Sequence, residues 1–108
     1  MEELLQACSV WHGDTVLLSL AGELDLATVP LLKEAVAACL ARRPHCVRLD
    51  LADLTFCDGT GLQALRRVSD AVHTADATFC LVNIHPNVER TLDRLGAASP
   101  WSPPTILH

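Results

Sequence analysis

The feature that most constrains this chain is a change of hydrophobic period between Val47 and Val72. Val47, Leu49 and Leu51 alternate with Arg48 and Asp50, the pattern of a strand with one face more buried than the other. Past Leu54 and Phe56 the chain enters a corner of small and polar residues, Asp58-Gly59-Thr60-Gly61. Leu62, Leu65, Ser69 and Val72 then recur at helical spacing and share one helix face. A strand that becomes a helix through a short corner is the building unit of α/β folds.

The flanking sequence repeats that unit. Leu4 to Trp11 and Thr15 to Ala21 read as two strands joined by a turn at His12-Gly13-Asp14. Gly22-Glu23-Leu24-Asp25 breaks the strand pattern. Thr28 is placed to cap a helix, with Pro30 in the first turn, where a missing N–H costs little. Leu32, Val36, Cys39 and Leu40 form its inner face, with Lys33, Glu34 and Ala37 away from it, and the helix is expected to stop near Arg42-Arg43, before Pro44. Phe79 to Val82 is a short apolar strand, Asn83 to Pro86 a loop, and Val88, Leu92 and Leu95 mark a third helix that Gly96 ends. The order β-β-α-β-α-β-α predicts one α/β domain over residues 1–96. Its mixed sheet would have mostly parallel strands, helices packed on it and an antiparallel hairpin at one edge. Residues 97–108 hold Pro100, Pro103 and Pro104, show no period, and are predicted to be an irregular tail.

Composition removes several classes of function. Half of the 108 residues are hydrophobic, enough for a core without a disulfide or metal staple. The formal net charge is -5, and the basic pairs Arg42-Arg43 and Arg66-Arg67 fall on expected helices, where they read as solvated faces. Nothing in this pattern favours nucleic acid or a membrane as partner. The five cysteines include no Cys-x-x-Cys pair, and no two histidines stand at i, i+4. Free thiols packed as small hydrophobes are therefore expected, with no structural metal and no cofactor. The acidic start Met1-Glu2-Glu3 and the lack of a long apolar run predict a cytoplasmic protein.

The corner Asp58 to Leu62 is where function is expected to concentrate, because α/β folds present ligands and partners at the carboxyl ends of parallel strands. As plain structure, Thr60 or Asp58 caps the second helix. As a nucleotide site, Gly59-x-Gly61-x-x-Ala64 would be a dinucleotide fingerprint. That reading fails on the acid at Asp58, on the small size of the domain, and on the position of the corner after the third strand rather than the first. As an enzyme, Cys57 beside Asp58 has no histidine nearby in sequence to serve as a base, so no catalytic residue is assigned.

The stretch Leu49 to Leu62, LDLADLTFCDGTGL, resembles the signature of bacterial STAS domains of the anti-sigma factor antagonist type. Gly22-Glu23-Leu24-Asp25 resembles the family's motif after its second strand, and His85-Pro86-Asn87-Val88 with Arg90 and Leu92 resembles the loop and helix after its fourth. The resemblance runs from about Val10 to Gly96, in order.

It implies a protein that binds an anti-sigma factor, often itself a serine-protein kinase, and so regulates transcription. In the family the kinase phosphorylates a serine directly after the corner aspartate. Here that residue is Gly59, which has no hydroxyl. The usual switch is therefore expected to be absent. Thr60 is expected mainly to cap the helix and is the one nearby candidate for an alternative phosphoacceptor. The implied partner surface comprises Asp25 and Thr28 with Asp58, Gly59, Thr60, Gly61 and Leu62. Relatives usually close with a further strand and helix. The short tail here leaves room for a second copy to cover the sheet. The other readings are a STAS interaction module of a signalling or scaffold complex without a sigma factor, and a nucleotide-binding module.

Overall fold

The computed structural model describes residues 4–96 and 105–107, with the side chains of 4–94. The elements are β1 (Leu5–His12), β2 (Thr15–Leu24), α1 (Val29–Leu40), β3 (Cys46–Cys57), α2 (Gly59–Thr74), β4 (Thr78–Val82), α3 (Pro86–Gly96) and β5 (Thr105–Leu107). The order β-β-α-β-α-β-α is as expected. The five strands form one sheet in sequence order, with β1 antiparallel to β2 and every later pair parallel.

Sequential parallel strands joined by right-handed crossovers place all the intervening helices on one face of the sheet. The core lies between them. Val16, Leu18 and Leu20 of β2, Val47, Leu49 and Leu51 of β3, and Phe79 and Leu81 of β4 are buried beneath Leu32 and Val36 of α1, Leu65, Val68 and Val72 of α2, and Val88 and Leu92 of α3. Val47, Leu49 and Leu51 and the helix residues other than Val68 are the positions that the two periods predicted, while the alternation in β2 and β4 is masked in sequence by their continuous apolar runs. Aliphatic side chains supply most of this core, as the low aromatic content requires.

Three boundaries differ from the sequence reading. The second strand does not stop at Ala21 but runs to Leu24 through register shifts against β3 between Ser19 and Ala21 and between Gly22 and Glu23. Gly22 makes this possible: its φ is +115°, and a Cβ there would lie 2.1 Å from the Leu4 carbonyl oxygen. The pattern break read as a strand end is still paired, and it is β3 that carries the extra residue at each shift, since Ser19 to Ala21 lies opposite Asp50 to Asp53 and Gly22 to Glu23 opposite Leu54 to Phe56. The third strand likewise continues unbroken through Leu54 and Phe56 to Cys57. Third, the tail expected to be irregular from residue 97 contains β5, where Thr105, Ile106 and Leu107 pair with Cys80, Leu81 and Val82. A three-residue strand is too short to show a period in sequence. It forms because β4 offers it a free edge.

The helices end as their sequence suggests, with a left-handed residue just past α1 at Arg43 and just past α2 at Asp76. Past α1, Arg43 takes φ 53°, a left-handed conformation that usually falls to glycine or asparagine. Arg42 reaches back so that its guanidinium lies 4.0 Å from the centroid of the Trp11 ring, which fastens the end of α1 to β1.

Candidate functional site

The corner is built from the ends of β2 and β3, which lie side by side. Asp58 is the N-cap of α2: its carboxylate accepts the Gly61 N–H at 2.9 Å and its carbonyl accepts the Leu62 N–H at 2.9 Å. The cap is thus Asp58 and not Thr60, which sits exposed in the first turn of α2. An aspartate suits this place twice over, because it satisfies an orphan donor and its charge opposes the positive end of the helix dipole. Asp58 is also tied sideways, its N–H donating to the Leu24 carbonyl at 3.4 Å. Gly61 is obligatory for that approach. A Cβ at this residue would stand 2.6 Å from the Leu24 carbonyl oxygen and 2.8 Å from the Cys57 sulfur.

The neighbouring loop is locked separately. Asp25 Oδ1 accepts the N–H groups of Ala27 at 3.0 Å and Thr28 at 3.1 Å. Thr28 stands at the N-cap of α1 but makes no side-chain cap bond. Its hydroxyl instead donates to the Glu23 carbonyl at 2.8 Å and accepts the Asp25 N–H at 3.0 Å. The expected capping role is therefore replaced by a clasp that closes the turn between β2 and α1. The clasp forms because β2 continues to Leu24, which brings the Glu23 carbonyl within reach of the hydroxyl. A third contact comes from α3, where the Asn87 amide donates to the Thr55 carbonyl at 3.4 Å and the His85 N–H to the Leu51 carbonyl at 3.2 Å.

The sequence-predicted residues therefore do converge, at different depths. Thr28, Gly61 and Leu62 are buried and shape the corner from beneath; Asp25 and Asp58 are half-buried; Gly59 and Thr60 are exposed. Gly59 and Thr60 share with Leu26, Val29, Lys33 and Arg67 a cavity of about 750 Å³ between the two loops and the first turns of α1 and α2. A second, apolar hollow of about 280 Å³ continues it between the helices, under Val36, Leu40, Val68 and Ala71.

Sequence reasoning missed the apolar part of this surface. Leu26 is 76 % exposed and Phe56 45 %, and Leu31 on the first turn of α1 is also exposed. With Leu4 and Val10 these are the large apolar side chains exposed among the described residues, so most of them stand at this one end of the sheet. The available signal was Leu26 itself, an apolar residue in a loop with no periodic partner. Lys33 and Arg67, read as solvated helix faces, prove to be the rims of the groove.

Burial pushes the Cys57 thiol up to about 12, with the adjacent Asp58 charge adding to the shift, and the thiol donates to the Asp58 carbonyl. It stays protonated at neutral pH and is no nucleophile. The Gly61 N–H, which a phosphate would need, is already occupied by Asp58. Among the described residues, no group of three or more His, Cys, Asp or Glu is arranged to hold a metal ion, and no helix is long and apolar enough to cross a membrane.

The family model described as STAS domain matches residues 9–102. The anti-sigma-B factor antagonist of Staphylococcus epidermidis is 27 % identical over 88 residues, covering 82 % of each chain. Among solved structures, an anti-sigma factor antagonist from Mycobacterium paratuberculosis superposes with a TM-score of 0.75 at 25 % identity, over 86 % of this chain and 79 % of that one. The anti-sigma factor antagonist SpoIIAA in its unphosphorylated form shares the fold, with a TM-score of 0.68 at 16 % identity over 96 % of this chain and 87 % of that one.

Proposed function

The chain belongs to the STAS-domain family, and from that premise we propose that it is an anti-sigma factor antagonist. It binds a kinase-type anti-sigma factor through the corner and the adjoining groove, and it does so without phosphorylation at the usual position. The observation that carries this reading is Leu26, 76 % exposed beside a rigidly capped corner, where with Val29 it lines the groove between α1 and α2. A single exposed hydrophobic is ordinary on a protein surface, but Leu26 opens onto a groove whose apolar lining continues through Val36, Leu40, Val68 and Ala71, which supports docking there. The relatives named above, called anti-sigma factor antagonists, supply the class of partner.

Gly59 supports the second half of the reading. A phosphoserine would add roughly -1.5 to -2 charges at the mouth of the groove, where a partner has to approach. With glycine there, that charge cannot be placed. Thr60 is exposed and its hydroxyl makes no bond among the described residues, so it is the residue on which this part of the reading stands or falls.

Affinity capture from the native cell, with the bait's phosphosites mapped in the same sample, tests both parts. The expected result is a kinase-type anti-sigma factor retained by the wild-type chain and lost with Leu26→Asp, and no stoichiometric phosphate on the bait. Retention of only other STAS proteins would move the chain to the scaffold class. Stoichiometric phosphate on Thr60 would end the claim of phosphorylation-independent binding.

A further inference from the structure

We propose that the chain forms a symmetric homodimer by stacking the helix-free faces of two sheets. The register defines this face. Val10, Leu17 and Arg48 lie in one row across β1, β2 and β3, and Cys8, Ser19 and Asp50 lie in the next row but one along the strands. All six are at the alternate positions that point away from the helices. On the same face of β4, Cys80 and Val82 are already buried outside the main core. The open part is therefore β1 to β3, where Val10 is 46 % exposed and Cys8 is exposed as well.

What identifies the occupant as a second copy is that the two rows complement each other. Consider a two-fold axis lying in the interface and running across the strands at the level of Leu49. It keeps each strand over its counterpart and exchanges the rows. Arg48 then meets Asp50 of the other copy, and Asp50 meets its Arg48. Leu17 falls over Ser19 and Val10 over Cys8, so in each strand the larger side chain faces the smaller. Such reciprocity is the defining property of an isologous interface. Two sheets stacked in this way interdigitate at about 10 Å. One Asp50 oxygen accepts the Ala52 N–H at 3.0 Å, and the carboxylate keeps further acceptor sites for a guanidinium. A patch three strands wide is at the small end of specific interfaces, so association is expected on the order of micromolar. The candidate partner surface lies on the helix side, at the carboxyl ends of the strands, and stays free in both copies.

Sedimentation equilibrium of the purified full chain, from micromolar to sub-millimolar concentration, tests the proposal, with circular dichroism confirming that each variant is folded. The wild type is expected to dimerise. Arg48→Asp and Asp50→Arg should each weaken self-association by about tenfold or more. Mixed together, the two variants should pair with each other, and the double variant should again pair with itself. Independently, Val10→Cys should give an oxidised dimer linked through Cys8, abolished by adding Cys8→Ser. A wild type that stays monomeric throughout overturns the proposal. So does a dimer that ignores the charge reversals.

Discussion

Single residues at the corner are constrained by packing as much as by chemistry. Gly61 approaches the Leu24 carbonyl and the Cys57 sulfur so closely that a methyl group has no room. Gly61→Ala is expected to destabilise the fold by about 1–3 kcal/mol, read from urea unfolding. Asp58 separates into two roles. Asp58→Asn keeps a capping acceptor and should cost little stability, whereas Asp58→Ala should cost about 0.5–2 kcal/mol. If Asp58→Asn nonetheless weakens partner capture, the partner reads the charge; if it does not, the cap is the whole role. Cys57 gives a pH signature. Its thiol is raised to about 12 in the folded chain and titrates near 9 in the unfolded one. The unfolded chain therefore releases a proton first as pH rises. This contribution to stability is complete below about 9 and falls between 9 and 12, by up to about 1.4 kcal/mol per pH unit. Cys57→Ala should flatten that alkaline slope, while Cys8, which is exposed, should be alkylated in the native protein and Cys57 should not.

Elements show where local rules are obeyed and where they are overridden. The second helix is legible in its buried stripe and its small-residue start, whereas its cap is Asp58 rather than Thr60, to which the sequence mainly assigned that role. The first helix is legible in its face but not in its start, because Thr28 serves the turn behind it rather than the helix ahead. Its end is strained at Arg43, which no neighbour requires to be arginine in the way Trp11 requires Arg42. Arg43→Gly is expected to raise stability by about 0.5–1 kcal/mol, visible as a higher unfolding midpoint with an unchanged denaturant slope. β2 and β5 were misjudged for one reason. The end of β2, paired across bulges in β3, and the three-residue β5 are both held by pairing with a neighbour, and pairing partners are not adjacent in sequence.

For the molecule as a whole, the net charge of -5 hides an opposite local sign. Lys33 and Arg67 face each other across an apolar groove. Association with the partner should therefore slow on Lys33→Glu or Arg67→Glu, on the order of tenfold at low salt, with the difference shrinking as salt is added. Stopped-flow binding across a salt series checks this; equal rates at all salt concentrations would mean that the partner does not approach over the groove. The sequence by itself determined the alternation of strand and helix, the inner faces, and the glycine at residue 59, because these depend on period and on residue identity alone. Only the tertiary structure decided that Thr28 lies beneath the corner while Leu26 and Phe56 stand out near it. Exposure is a property of what packs against a residue, and the end of β2, the bulged end of β3, the first turn of α2 and the start of α3 meet there only once the sheet has formed.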